Sequence, residues 1–435
     1  MQVQDIIKDK LIASTESSVP KMTKRHKEAP TISNKAIVAI GMRRTGKTTW
    51  LHQCQQKYLD QGYAKADLIF FNFEDERLAD LQATQLQLIL DIQERLYPNE
   101  SGIKRVLFFD EIQLVNNWEQ FIRRLLDEDN YDIYLSGSSA KLLSREIASS
   151  MRGRAWEVEI FPFSFQEALK HKNRHPNKSI ELLTNSQRSK IDHYFEEYLI
   201  TGGLPEAQSF DKTDRFQLLQ GYVDALLMRD IVDRYNISNP TALRWLVRRL
   251  MSSPGGLFSI SKYTADFKSQ GIHVSKETLF EYLDHLEDAY LLETVSIASD
   301  SVKRRQVNPR KVYPIDPGFI PVFDRSGKSN LGHALETTVY IHLRRQKAEI
   351  SYVKTKRGFE VDFLARHIEG NQELIQVSYN IDDKSTRERE IRALLDASVD
   401  SPQASLVLLT AHSSRQDLDI PSNITVLSAW EWMGD

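Results

Sequence analysis

Cysteine is almost absent from this sequence. Cys54 is the only one among 435 residues, so the chain can form no internal disulfide. Proteins that do without disulfides suit a reducing compartment, and we therefore expect a cytoplasmic protein. Cys54 lies in a predicted helix, where we interpret it as a packed thiol rather than a catalytic nucleophile.

Long apolar runs and a strong net charge are also missing. No stretch approaches the roughly 18 residues of a membrane helix, and the first residues lack the apolar core of a signal peptide, so we expect no membrane partner. The formal net charge is −3, which gives no reason by itself to expect a nucleic-acid partner. The hydrophobic content of 41% is typical of a globular protein, and the chain length suggests two to four domains.

A glycine-containing turn between a strand pattern and a helix pattern is the most informative feature present. The apolar run Ala36–Ile40 is followed by G-x-x-x-x-G-K-T at Gly41–Thr48. Glycines let the main-chain N–H groups curl toward phosphate oxygens, the lysine reaches the β- and γ-phosphates, and the threonine hydroxyl binds Mg²⁺. The sequence therefore predicts a site for ATP and Mg²⁺, with these expected contacts: Gly41, Arg43, Arg44, Thr45, Gly46, Lys47, Thr48 and Thr49.

A second strand pattern supplies the acidic partners of this loop. Arg105–Asp110 is an apolar run that ends in Asp110 and Glu111, some sixty residues after the loop. We expect Asp110 to hold Mg²⁺ together with Thr48, and Glu111 to orient or deprotonate the water that attacks the γ-phosphate. Lys47 and Glu111 are thus the first two predicted catalytic residues.

Two further positions have open interpretations. Ser136 or Ser138, at the end of a predicted strand from Tyr131, can sense the γ-phosphate or belong to an ordinary turn. Arg152 or Arg154 can stabilise transition-state charge, in this chain or in a neighbouring subunit, or can be an ordinary surface arginine. Strands alternating with helices over about 160 residues predict a parallel sheet, with the ligand at the carboxyl edge of the strands.

The middle of the chain is predicted to be helical and then to carry a DNA-binding module. Residues 166–252 read as a helical lid, broken at the Gly-Gly-Leu-Pro sequence of Gly202–Pro205. Two helix patterns around a glycine turn follow, in the arrangement of a helix-turn-helix. Next come two strand candidates with a dense group of cations, which we interpret as a basic hairpin, or wing, for DNA phosphates. Its cations are Lys303, Arg304, Arg305, Arg310 and Lys311.

The C-terminal part shows a helix, three strands, a helix and a further strand. This order is required by a restriction-endonuclease-like domain, in which acids on neighbouring elements bind one Mg²⁺. Glu336 and Asp362 fit the acid positions, but Gln376 replaces a carboxylate and Ser378 replaces the lysine that would activate water. We therefore predict a nuclease-like domain with an inactive centre.

Taken together, these motifs resemble a family of prokaryotic AAA-like ATPases, related to the archaeal ATPase branch, with a C-terminal domain of unknown function. The resemblance implies an α/β fold: a P-loop NTPase core with a parallel sheet (1–165), a helical lid (166–252), a winged helix-turn-helix (253–313) and a restriction-endonuclease-like domain (314–435). The segments that carry it are Gly41–Thr49, Phe108–Gln113, Leu135–Ser139, Arg152–Arg154, Pro162–Phe165, Gly202–Pro205, Glu336 and Glu360–Phe363.

Three hypotheses for function follow. The first is an ATP-hydrolysing, DNA-binding motor or remodeller that acts as a homo-oligomer. A ring is one arrangement that this oligomer can have. The second is a nucleotide-dependent switch that binds a protein partner through the winged helix. The third is an ATP-coupled, Mg²⁺-dependent nuclease, which the substitutions at Gln376 and Ser378 disfavour.

Overall fold

The structure, a computed structural model, describes residues 2–100, 102–137, 151, 153–176, 178–324, 330–412 and 419–434. The chain forms two compact units, Met1–Phe161 with Asp288–Tyr290, and Pro162–Glu287 with Leu291–Asp435. The finer boundaries near residues 165, 252 and 313 stay predictions. No helix in the described part of the chain has the length and apolar character needed to cross a membrane.

The first unit is built on a sheet of five parallel strands. Their order is β2-β3-β4-β1-β5. Strand β4 therefore lies between β1, which precedes the glycine turn, and β3, which ends in the acidic residues. This confirms the predicted parallel α/β core, although β5, with two glutamates in five residues, was not predicted. The strands are β1 (Ala36–Ile40), β2 (Leu68–Asn72), β3 (Arg105–Asp110), β4 (Tyr131–Ser136) and β5 (Ala155–Glu159).

Helices pack on this sheet through apolar faces. On the helix that starts at Lys47, Trp50, Leu51 and Cys54 join the core formed with the strands. Burial raises the pKa of the Cys54 thiol to about 12, so this side chain is a packed thiol and not a nucleophile. The helices of the first unit are α1 (Val3–Glu16), α2 (Lys47–Asp60), α3 (Gln87–Leu96) and α4 (Trp118–Glu128).

The second unit begins with helices, as predicted. They are α5 (Phe165–His171), α6 (Asn185–Thr201), α7 (Lys212–Leu226), a π-helical turn (Leu227–Val232), α8 (Asp233–Tyr235) and α9 (Pro240–Met251). The Gly-Gly-Leu-Pro sequence ends α6 for a steric reason. A Cβ on Gly202 would lie 1.8 Å from Asp316 Oδ1, and one on Gly203 would lie 2.1 Å from the Phe163 carbonyl oxygen. Asp316 also accepts a hydrogen bond of 2.6 Å from the Gly203 N–H.

A small antiparallel sheet follows, in the order β6-β8-β7, with two helices beside it in sequence. Ser275 caps the second helix by accepting a hydrogen bond of 3.1 Å from Thr278 N–H. The elements are β6 (Leu257–Phe258), α10 (Ile260–Ser269), α11 (Lys276–Asp288), β7 (Leu292–Val295), α12 (Val302–Val307) and β8 (Arg310–Pro314).

The two strands of the predicted basic hairpin are present as β7 and β8, which pair antiparallel, but the segment between them was predicted wrongly. Residues Val302–Val307 form helix α12, and only Arg310 onward is a strand. Ser301 starts this helix, because its hydroxyl accepts a hydrogen bond of 3.3 Å from the Arg304 N–H. Lysine, arginine and glutamine are also good helix formers, so the cap and the local propensity agree.

The last part of the second unit is a mixed five-stranded sheet in the order β13-β12-β11-β10-β9. Strand β10 pairs antiparallel with β9 and with β11, whereas β12 pairs parallel with β11 and with β13. The predicted order of helix, three strands, helix and strand is present; β13 and the final short helix were not predicted. The elements are α13 (Ile320–Phe323), α14 (Leu331–Arg345), β9 (Glu349–Lys354), β10 (Glu360–Arg366), β11 (Gln372–Ser378), α15 (Lys384–Ser398), β12 (Ser405–Thr410), β13 (Ile424–Ser428) and α16 (Ala429–Trp432).

Candidate nucleotide site

The loop between β1 and α2 adopts the curled main chain that the sequence predicts. Gly41, Arg44 and Gly46 have positive φ angles of 136°, 67° and 94°. Gly41 cannot be replaced, since an added Cβ would lie 2.5 Å from the Ile160 carbonyl oxygen. Arg44 is a non-glycine residue in the left-handed region, which costs about 1 kcal/mol or more. The loop is thus held in a conformation that few residue types favour.

Lys47 folds its side chain back into this loop. The residue is only 5% exposed, and its ammonium donates hydrogen bonds of 3.0 Å and 2.9 Å to the carbonyls of Gly41 and Met42. Thr45 closes the same turn with a 2.9 Å hydrogen bond from its hydroxyl to the Met42 carbonyl. An ammonium group therefore lies inside a ring of main-chain atoms, where a phosphate oxygen can replace the carbonyls as its partner.

Asp110 joins the loop to the carboxyl edge of the sheet. It is fully buried, and its Oδ2 accepts hydrogen bonds of 2.9 Å from both the Thr48 hydroxyl and the Asn72 amide. The Ser136 hydroxyl donates to Oδ1. Burial raises the pKa of Asp110 above its usual value, and the hydrogen bonds from Ser136 and Thr48 oppose that rise. The two predicted Mg²⁺ ligands, Thr48 and Asp110, are therefore in direct contact.

Asn72 is a member of this site that sequence reasoning missed. It ends β2 and is paired in register with Asp110 on β3, so its amide lies beside the carboxylate. Its Oδ1 accepts a hydrogen bond of 2.6 Å from Glu74 N–H, which fixes the amide so that its NH₂ faces Asp110. The available signal was a polar residue at the end of an apolar strand, at the edge where ligands bind.

Glu111 lies directly after β3 at the same edge. Its φ is +57°, an uncommon conformation for a glutamate, and its N–H donates a hydrogen bond of 3.2 Å to the Ser136 hydroxyl. The Gln113 amide donates to Glu111 Oε2 at 2.5 Å. Ser136 thus orients both acids, while its interpretation as a phosphate sensor stays a prediction. Ser138, the alternative sensor, lies outside the described residues.

Arg154 is not placed near the loop of its own chain. It precedes β5, and its carbonyl accepts a 2.8 Å hydrogen bond from the N–H of Ala36, the first residue of β1. The loop starts at the other end of that five-residue strand, about 16 Å away. The side chain is exposed and ion-paired with Asp127. The strand register therefore corrects the expected role of Arg154 within its own site. A role in a neighbouring subunit and an ordinary surface arginine remain as alternatives. Arg152 lies outside the described residues.

Arg25 reaches the loop from the segment between α1 and β1. Its guanidinium is buried and donates hydrogen bonds of 2.8 Å to the Thr45 carbonyl and 2.5 Å to the Phe161 carbonyl. Gln53 on α2 holds the Arg25 main chain through both its N–H and its carbonyl, at 2.7 Å and 3.1 Å. Nothing in the local sequence pattern predicted this contact.

The predicted DNA-binding cations do not form one surface. Lys303, Arg304 and Arg305 are exposed on α12, and Arg310 is half-buried beside Thr294. Lys311, however, is only 2% exposed, and its ammonium contacts carboxylates. The assignment of Lys311 to DNA is corrected on this ground, since a buried ammonium that is already paired cannot reach a phosphate.

The predicted nuclease-like centre is only partly assembled. Asp362 N–H donates a hydrogen bond of 3.3 Å to Gln376 Oε1, and both Asp362 and Glu336 contact Lys311. The Gln376 amide in turn donates to Glu390 at 2.8 Å, so both ends of this side chain are used. The Ser378 hydroxyl donates to the Asn380 carbonyl at 3.0 Å. The structure thus places an unpredicted lysine beside the two acids.

Comparison with known proteins identifies the class to which this site belongs. Residues 33–169 match the model of an AAA domain, and residues 192–328 match a domain of unknown function (DUF8612). Among solved structures, the Walker-type ATPase of Pyrococcus abyssi is similar with a TM-score of 0.43 and 15% identity, over 74% of this chain and 96% of that one. The fold and the matched domain define a P-loop ATPase.

Two relatives extend the likeness over most of the chain. An uncharacterised protein of Methanocaldococcus jannaschii is 36% identical over 378 residues, which cover 86% of this chain and 81% of that protein. An uncharacterised protein of Haemophilus influenzae is 30% identical over 332 residues, covering 76% and 79%. The chain belongs to the same family as these proteins, a family of AAA-type P-loop ATPases. The nuclease-like interpretation of its C-terminal region stays a prediction.

The contacts of Arg25 generate a prediction for nucleotide affinity. Arg25→Met removes the charge-assisted hydrogen bond that joins the loop at Thr45 and the one at Phe161, so we expect nucleotide affinity to fall about tenfold or more. Titration with a fluorescent ADP analogue measures this, and circular dichroism at the same temperature verifies that the variant is folded. Lys24→Met is the matched control, because the Lys24 side chain is 78% exposed. Equal affinity in the two variants would show that Arg25 does not support the loop.

Proposed function

We propose that this protein hydrolyses ATP with Mg²⁺ and couples the hydrolysis to DNA as a motor or remodeller. The contact of the Thr48 hydroxyl with Asp110 Oδ2, at 2.9 Å, is the observation that supports hydrolysis most directly. It brings a hydroxyl and a carboxylate, both suited to Mg²⁺, to a loop that contains the Lys47 ammonium. Family membership supports nucleotide binding from an independent direction.

Each residue of the site has a distinct role in this proposal. The loop N–H groups and Lys47 would bind the phosphates, and Thr48 and Asp110 would hold the metal ion. When bound, Mg²⁺ would supply charge neutralisation at the phosphates. Glu111 orients the attacking water. The Gln113 amide donates a hydrogen bond to its carboxylate, and its main-chain N–H donates to the Ser136 hydroxyl, which fixes its position at the edge of the sheet.

A homo-oligomer, with a ring as one arrangement, completes the proposal. Arg154 lies at the amino-terminal end of β5, whereas the nucleotide loop follows the carboxyl-terminal end of β1. If Arg154 acts as an arginine finger, its exposed side chain would therefore serve the nucleotide of a neighbouring copy. An arginine finger supplied in this way would make hydrolysis depend on assembly, as is common when a positive charge is delivered to the γ-phosphate by a second subunit.

Two variants of the site separate binding from chemistry. Lys47→Ala should lose nucleotide binding, because no other group in the loop replaces the buried ammonium. Glu111→Gln should keep ATP bound but lower the hydrolysis rate at least about a hundredfold, since an amide cannot accept the proton. Phosphate release and filter binding measure the two effects. Glu119→Gln, which makes the same change on α4, is the control. A Glu111→Gln protein with normal turnover would remove this residue from catalysis.

DNA binding rests on a separate observation in the second unit. Helix α12 exposes Lys303, Arg304 and Arg305 in succession, and its ends expose the apolar Val302 and Val307. No described acidic side chain pairs with these three cations among the ion pairs of the structure. Arg305 also donates a hydrogen bond of 2.5 Å to the Ser299 carbonyl. Exposed cations on one short helix can displace counterions from a phosphate backbone, so α12 is the part of this unit that we expect to contact DNA.

Neutralising these three cations tests the DNA proposal. Lys303→Ala/Arg304→Ala/Arg305→Ala should weaken duplex binding in a mobility shift, and the slope of log affinity against log salt should fall by about two to three. The control is Lys356→Ala/Arg357→Ala/Lys384→Ala, whose side chains are 90%, 78% and 80% exposed and whose loss changes the net charge equally. Absence of a shift for the unmodified protein at low salt would favour the protein-partner switch instead.

A further inference from the structure

A group of charges in the second unit, which includes Glu336 and Asp362 of the predicted nuclease-like centre, belongs to neither the nucleotide site nor the exposed cations of α12. Its Glu360 side chain is 34% exposed. The Lys311 ammonium lies 3.1 Å from Glu336 Oε1, 3.0 Å from Glu360 Oε1 and 2.8 Å from Asp362 Oδ1. The three carboxylates come from α14 and β10, and the lysine comes from β8 of the small antiparallel sheet. One cation thus lies among three oxygen ligands supplied by two elements.

The carboxylates of this group are held in place by neighbours. Tyr313 donates its hydroxyl to Glu336 Oε1 at 2.7 Å, and the Val377 N–H donates to Asp362 Oδ2 at 3.0 Å. Glu360 and Asp362 are two residues apart on β10, so they face the same side, and the pairing of β10 with β9 shifts register between Val361 and Leu364. The carboxylates of Glu336 and Asp362 are therefore held by contacts that do not involve Lys311.

The surroundings leave little space around Glu336. A Cβ on Gly255 would lie 2.6 Å from Glu336 Oε2, so only glycine fits there. Burial and the Asp362 charge raise the pKa of Glu336 to about 7. Burial alone would lower the pKa of Lys311, but the charges of Asp362, Glu336 and Glu360 raise it above its ordinary value. The ammonium is thus held in its charged form.

Such a group of acids needs a positive charge, because burying unpaired carboxylates costs several kcal/mol each. A divalent metal ion is the common solution when oxygens from several elements converge. Here the space is occupied by Lys311, and no set of three His, Cys, Asp or Glu residues in the described part of the chain is arranged to hold a metal ion.

We propose that the Lys311 ammonium is the permanent cation of the Glu336, Glu360 and Asp362 group and takes the place of a divalent metal ion. The group then acts as a metal-independent cross-link between the small antiparallel sheet and the C-terminal sheet. Because the site for the metal ion is filled from within the chain, the C-terminal part binds no Mg²⁺ there and does not cleave DNA. This proposal does not depend on ATP hydrolysis.

Removing the ammonium should convert the group into a metal site. We expect nucleotide-free Lys311→Met, as the full chain, to bind one Mn²⁺ more than the unmodified protein, as measured by the loss of the free-Mn²⁺ signal in electron paramagnetic resonance. Lys311→Met/Asp362→Asn is the matched control and should lose the additional ion. Methionine has nearly the length of lysine without its charge, and its flexible thioether can turn away from the carboxylates, so that a metal ion can enter.

The unmodified protein provides a second arm that does not depend on the folding of a Lys311 variant. The unmodified protein and Asp362→Asn should bind the same number of Mn²⁺ ions. The change in melting temperature between EDTA and Mn²⁺ should also be the same for the two proteins. Mn²⁺ bound by the unmodified protein and lost in Asp362→Asn would overturn the proposal, as would a folded Lys311→Met that binds no additional ion.

Discussion

The contacts of the Asp110 carboxylate are the constraint on which the nucleotide site depends. A single buried side chain accepts hydrogen bonds from Thr48 on α2, Asn72 on β2 and Ser136 on β4. These elements are far apart in the sequence, and the parallel strand order brings their ends to one edge. An acid without these donors would be costly to bury, so the hydrogen bonds and the fold require each other.

Much of this site could be predicted from the sequence because its chemistry is local. A strand, a glycine turn and a helix in succession define the loop around Lys47, and an apolar run that ends in two acids defines Asp110 and Glu111. The register of the sheet then determines which strand ends meet. Asn72 and Arg25 could not be found in this way, since their roles depend on partners that no short pattern connects to them.

The basic segment shows where such reasoning fails. Five cations in nine residues predicted a single exposed wing, yet the structure divides them between the exposed helix α12 and a buried position at Lys311. The partners of Lys311 lie 25 and 51 residues further along the chain, so its burial is a tertiary effect. Six residues are also too few for a helical period to be recognised, and the cap at Ser301 and the helix propensity of lysine, arginine and glutamine were the local signs of α12.

The same physical rule explains both charged centres of this protein. A buried acid needs donors or a cation: Asp110 has three hydrogen-bond donors beside the glycine-containing loop, whereas Glu336 and Asp362 have Lys311. The direct test of the first centre is the affinity of a non-hydrolysable ATP analogue, with and without Mg²⁺, for the unmodified protein and for Asp110→Asn. We predict that Mg²⁺ tightens binding at least about tenfold only when the carboxylate is present. Equal Mg²⁺ dependence in the two proteins, or no binding to either, would contradict the account.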